Sequence, residues 1–261
     1  MQSLIFQVLI PFLLSLIIVI VITVIAEKFG TKVGGILGTL PSTIIIAFVF
    51  IAYTKGTDFA SQAVAVVPAE LGINLIFLFV FAVVISRSTI CAFGASFLAW
   101  SVLSTILFLV DLSNILVSVL IYLICLCCTF VILEYRMQIP SAEKVHIPYT
   151  VQKILFRGVI AGAIIALSVY LANFGAVLSG IFSVFPAILS STMLISVREH
   201  GPAFASGMAK SMIFGISSVC VYAVLIHYLY PSIGIIYGSI SAFIVAFMLT
   251  IVLFCLRSKL R

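Results

Sequence analysis

The sequence predicts an all-α integral membrane protein of nine transmembrane helices, with its N-terminus outside and its C-terminus in the cytoplasm. Three observations carry this expectation. Apolar residues make up 64% of the chain, only 8% are charged, and the mean hydropathy is +1.43; a soluble domain carries about 25% charged residues. The apolar runs reach the roughly 20 residues that a helix needs to cross the hydrocarbon, and they lack the polar–apolar alternation of barrel strands. Finally, the basic residues segregate to one side of the spans.

In chain order the spans fall near 4–26, 33–53, 59–86, 89–110, 113–135, 152–173, 176–197, 203–229 and 232–256. The first has no basic residue before it and is longer than the apolar core of a signal peptide, so it is expected to stay as a helix. The second holds Gly34, Gly35, Gly38 and Pro41-Ser42-Thr43, and the third Gln62, Glu70 and Asn74. The fourth closes a first unit, 1–110, and the fifth is a connecting helix within 111–136. A cytoplasmic loop over 137–150, with Pro140, Ser141, Pro148 and Tyr149, divides the chain before a second unit, 151–261. There, Gly180 and Pro186 precede Ser190-Ser191-Thr192, and the eighth span carries Ser206, Lys210 and Ser217.

With nine spans, Lys28, Lys32, Arg87, Arg136, Lys144, Lys153, Arg157, Arg198, Arg257, Lys259 and Arg261 all share one side, against Lys55 on the other. The positive-inside rule makes that side cytoplasmic. The net charge of +6 is thus a matter of topology and not a nucleic-acid surface. All six cysteines fall inside spans, none with zinc-finger spacing, and Cys125, Cys127 and Cys128 read as packing residues. Neither a metal nor a cofactor is expected.

A shift of 145 residues aligns the two units without a gap. Phe29-Gly30 meets Phe174-Gly175, Gly35-Ile36 meets Gly180-Ile181, Pro41 meets Pro186, Gly56 meets Gly201, and Phe59-Ala60-Ser61 meets Phe204-Ala205-Ser206. Shared hydrophobicity does not account for matched glycines and prolines. Equivalent helices run in opposite directions, so helices 1–4 and 6–9 form two inverted four-helix repeats joined by helix 5. Secondary transporters are often built this way, with the substrate near the midplane between the repeats.

The candidate site follows from the same pattern. A proline inside a helix removes one donor and displaces the carbonyl one turn earlier, so the Pro41-Ser42-Thr43 and Pro186…Ser190-Ser191 stretches are expected to line a cavity. Glu70 lies about 18 Å from the outer end of its span and Lys210 about 12 Å from the cytoplasmic end of its own. Charges at such depth face a protein interior, a cavity or a partner. Gln62, Glu70 and Asn74 are expected on one helical face, and Ser206, Lys210 and Ser217 on another. Glu70 is a candidate to carry a coupling proton. Lys210 either holds an anionic group or snorkels to the headgroups, and the two could also form a structural ion pair. Arg198-Glu199 reads as an interfacial anchor, and Tyr53, Tyr228 and Tyr230 as an outer aromatic belt.

The second unit, from Ser179-Gly180-Ile181-Phe182-Ser183-Val184-Phe185-Pro186 through Val197-Arg198-Glu199-His200-Gly201 to Met212-Ile213-Phe214-Gly215, resembles the GlpM family of small bacterial inner-membrane proteins. That family is a single four-helix unit with a Phe-Pro break, a charged turn and an Ile-Phe-Gly helix. The first unit matches more weakly, with Leu40-Pro41 in place of Phe-Pro and no Arg-Glu pair. The resemblance implies a prokaryotic inner membrane and two fused units. It names no substrate.

The leading expectation is a small secondary transporter that moves a small solute or ion by alternating access. It would work as a monomer or homodimer among membrane lipids. An uncoupled channel or lipid-moving protein, and a membrane scaffold without transport, are the rivals. With no P-loop, no His-Glu-x-x-His and no Gly-x-Ser-x-Gly, an ATP-driven pump or a hydrolase is not expected.

Overall fold

The computed structural model describes residues 5–28, 40–137 and 150–259. The glycines at 30, 34, 35 and 38 and most of the 137–150 loop lie outside the described residues. Those described are helical, with no strand among them. A π-helical turn, Ile5–Leu9, leads into α1 (Ile10–Lys28). There follow α2 (Ser42–Lys55), α3 (Thr57–Val64), α4 (Val67–Val84), α5 (Thr89–Val110) and α6 (Ile115–Val131). α6 runs on through a π-helical turn, Ile132–Arg136, and then come α7 (Val151–Leu171), α8 (Ala176–Ser183) and the long path α9 (Ala187–Lys259).

By length and composition, six stretches among the described residues are able to cross a membrane: Gln7–Ile25, Thr57–Val84, Thr89–Val110, Ile115–Tyr135, Val151–Leu171 and Ala176–Leu253. This is fewer than the nine expected. α2 is described over only 14 residues. The last stretch is 78 residues long, about 117 Å at 1.5 Å per residue, far more than a bilayer is thick. It is interrupted at Gly201 (φ 82°, ψ 177°) and Gly234 (φ 80°, ψ 179°), each followed or preceded closely by a proline, Pro202 and Pro231. Only glycine takes such angles without steric cost.

Local chemistry explains the other boundaries. Gly56, at φ 95°, separates α2 from α3, its N–H closing on the Ala52 carbonyl. Asp111 takes the left-handed conformation at the end of α5, and the Asn114 side chain caps α6 by accepting from the N–H groups of Leu116 and Val117. The third expected span is not one continuous helix. It tightens at Ala65-Val66, where the Ala65 N–H reaches back only three residues to Gln62, just before Pro68 withholds a donor from the first turn of α4.

The window over Thr57–Val84 is 83% buried, against 17% for α5 and 22% for α6, so α3–α4 forms the centre and α5 and α6 the rim. α4 packs against α5, α6 and α9, while α1 packs along α7. The rim carries exposed Ile90, Leu98, Leu109 and Leu116, a surface suited to lipid.

Several backbone features recur 145 residues apart. The Ser42 N–H bonds the Leu40 carbonyl and the Ile45 N–H that of Pro41; the Ala187 N–H bonds the Phe185 carbonyl and the Ser190 N–H that of Pro186. Gly56 and Gly201 share a positive φ. Across the central pair of helices, Ser61 Oγ donates to the His227 carbonyl (2.7 Å) and Ser206 Oγ donates to the Ala82 carbonyl (3.0 Å).

Candidate functional site

The buried polar groups of the centre gather on α4. Glu70 and Asn74 stand one turn apart on the same face, 0% and 2% exposed. Ser104 Oγ, on α5, donates to Glu70 Oε1 at 2.8 Å. The Trp100 indole adjoins the same carboxyl. Asn74 Nδ2 donates to the Val184 carbonyl at 2.7 Å. Val184 lies in the break between α8 and α9, directly before Phe185-Pro186, so the amide satisfies a carbonyl that the lost helical turn has freed.

Gly180 brings the two breaks together. α8 crosses α3 so closely that a methyl on Gly180 would overlap the Ala63 carbonyl oxygen and stand 2.6 Å from Val66 Cγ1. Backbone thus lies on backbone where α3 gives way to α4 and α8 approaches its own end. Around this crossing, Trp100 meets Phe185 edge-on at 4.8 Å and Phe182 at 6.1 Å. Phe97 stacks on Phe185 at 6.0 Å. Beyond them lies a cavity of about 240 Å³ lined mainly by Phe93, Phe97, Phe156, Ile160, Phe185 and Leu194, with Ser190 and Ser191 as its polar groups.

The residues expected from sequence divide into three groups. Glu70, Asn74 and the Pro186 break do converge, and Ser190 and Ser191 reach the neighbouring cavity. Ser190 bonds back to the Pro186 carbonyl and Ser191 to that of Ile188. Pro41 is buried, with Ser42 and Thr43 half-buried at the start of α2. Gln62 does not join Glu70 and Asn74: it is exposed, and eight residues of helix turn it about 80° away from Glu70.

Ser206, Lys210 and Ser217 each have a different partner: the Ala82 carbonyl, Glu134 and the Tyr122 hydroxyl (2.8 Å) respectively. The ion pair of Lys210 is with Glu134 Oε2, at 2.6 Å, and not with Glu70. Glu134 went unremarked in the sequence because it sits at the end of the connecting helix, beside the 137–150 loop, where a carboxylate needs no explanation. Lys210 reaches it while staying 7% exposed.

Two smaller expectations also change. Tyr230 is 1% exposed and hydrogen-bonded to Ser239 at 2.8 Å, so of the three belt tyrosines only Tyr53 and Tyr228 face outward. Glu199 pairs with Lys153 at 2.6 Å, tying α7 to the start of α9. His227 adds a contact that no spacing in the sequence points to. Its Nδ1–H donates to the Ser61 carbonyl at 2.8 Å, across the central helix pair. No family model, curated protein or solved structure matches the chain.

Proposed function

We propose that this chain is a small secondary transporter of nine spans, built from two inverted four-helix repeats that exchange access to a site at Glu70. The observation that carries the reading is the fully buried Glu70 carboxyl beside two interrupted helices that cross at Gly180. A carboxyl so deep in apolar surroundings is costly and is commonly retained for an ion or proton path. Interrupted helices at mid-depth are the usual place for such sites.

The repeat draws support from the paired serines. Ser61 and Ser206 are 145 residues apart, and so are their acceptors, Ala82 and His227. A half-turn that exchanges the units carries one bond onto the other. Because the helices run antiparallel, that half-turn lies across them, in the membrane plane. Nine spans follow if the long path of α9 is divided at Gly201 and Gly234 and the second expected span, 33–53, is counted with the rest. The one-sided basic residues then orient the N-terminus outward in a prokaryotic inner membrane. The likeness of the second unit to the GlpM family fits two fused units.

Proteoliposomes holding a pH gradient, screened against a library of small solutes, test the reading. Solute-dependent proton or ion flux that Glu70→Gln abolishes is the expected result. Solute movement that ignores both the gradient and the substitution would leave an uncoupled facilitator. The aromatic cavity of about 240 Å³ between α5, α7 and α9 favours a second version of that outcome, in which the cargo is a lipid chain. No movement of any solute by folded protein would sink transport in favour of a scaffold.

A further inference from the structure

Glu70 and Asn74 each use one polar atom and leave one over. Oε1 of Glu70 accepts from Ser104, and Nδ2 of Asn74 donates to Val184. Among the described residues, neither Glu70 Oε2 nor Asn74 Oδ1 makes a hydrogen bond of good geometry, although both are fully buried and the Trp100 indole N–H, itself without an acceptor, adjoins the carboxyl. The bond to Val184 fixes which way the amide is turned, so Oδ1 is the atom left over. An unsatisfied buried acceptor costs about 1–3 kcal/mol, more when it is charged. Two of them, a turn apart on one helix face, call for a shared positive partner.

The chemistry of the set selects that partner. Every available atom is a hard oxygen: a carboxylate, an amide carbonyl and the remaining lone pairs of the Ser104 hydroxyl. Glu70 is the sole acidic residue among the buried described residues, so the site carries one negative charge when that carboxyl is ionised. A calcium ion seeks six to eight oxygens, usually with several carboxylates, and a soft metal seeks thiolate or imidazole. Trp100 and Phe185 close the side toward the apolar cavity, keeping the oxygens in low-dielectric surroundings where a single ion neutralises the single charge.

We propose that Glu70 and Asn74 form a binding site for a monovalent alkali cation, with Ser104 orienting the carboxylate. The inference deepens the transport reading, on which it rests for the use made of the ion but not for its binding. Tying Asn74 to Val184 also gives the ion a mechanical consequence. The amide that ligates it through Oδ1 holds the α8–α9 break through Nδ2, so occupancy stiffens the crossing of the two units.

Thermal unfolding of the detergent-purified full chain tests this in NaCl, KCl or LiCl against choline chloride at equal ionic strength, at two pH values. At an ion concentration roughly tenfold above the dissociation constant, the melting temperature should rise by about 4 °C. Glu70→Gln and Asn74→Ala should abolish the rise. Should Glu70→Gln fail to fold, Glu70→Asp keeps the charge but withdraws it by one methylene, and should require about tenfold more ion for the same shift. Equal melting in all salts, a shift surviving in both variants, or stability that follows pH alone would overturn the cation site, the last assigning it to a proton. Ion-dependent melting without any solute flux would refute transport while leaving the site intact, so the two readings fail separately.

Discussion

Replacing Gly180 by alanine adds a single methyl where α8 lies directly on α3. The glycine has no unusual backbone angle, so the substitution acts through space alone. The new methyl would overlap the Ala63 carbonyl oxygen and lie 2.6 Å from Val66 Cγ1. A valine methyl can rotate away, but a backbone oxygen cannot, because it is carried by a helix that is itself buried. Overpacking a core costs about 1–3 kcal/mol, and a fixed backbone obstacle argues for the upper end. At roughly 2–4 °C per kcal/mol for a chain of this size, about 3 kcal/mol lowers the melting temperature by roughly 6–12 °C. Gly94→Ala is the matched control: nothing lies within 4 Å of its added methyl, and alanine is favoured over glycine in a helix by about 0.5–1 kcal/mol. Melting of both variants in detergent, followed by size-exclusion chromatography after heating, gives the comparison. A Gly180→Ala protein that melts within 2 °C or so of the parent would refute the close crossing, and with it the geometry that brings Val184 to Asn74.

Two further predictions follow from the same structure. Gly56→Ala and Gly201→Ala meet open space but force a side chain to φ 95° and 82°; each should cost about 1–2 kcal/mol, seen as an earlier melting midpoint, and equal stability would mean that the turns are not left-handed. The Lys210–Glu134 pair should show a coupling of about 1 kcal/mol or more in a double-mutant cycle of Lys210→Met and Glu134→Gln, whereas additive single effects would dissolve the pair.

Much of the candidate site was legible in the sequence, because burial in lipid leaves so few polar residues to choose from. Glu70 declared itself by being charged in the middle of an apolar span, and the Pro186 break by its match to Pro41 at a fixed offset. What misled was phase. Helical periodicity placed Gln62 on the face of Glu70, but eight residues amount to about 80° of rotation, and Gln62 is exposed while Glu70 is buried.

The sequence alone determined that this chain is helical, apolar on its outside and rich in long spans, since composition and run length answer directly to the solvent around the protein. It also determined where the backbone turns, because Gly56 and Gly201 are places where only glycine is unstrained. Tertiary structure decided the partnerships. Lys210 could have joined Glu70 across the centre, yet it pairs with Glu134. Tyr230 could have faced the headgroups, yet it points inward to Ser239. Asn74 holds a carbonyl 110 residues away. Such choices depend on which helices cross and how closely; one-dimensional spacing records the residues able to pair, while distance selects those that do.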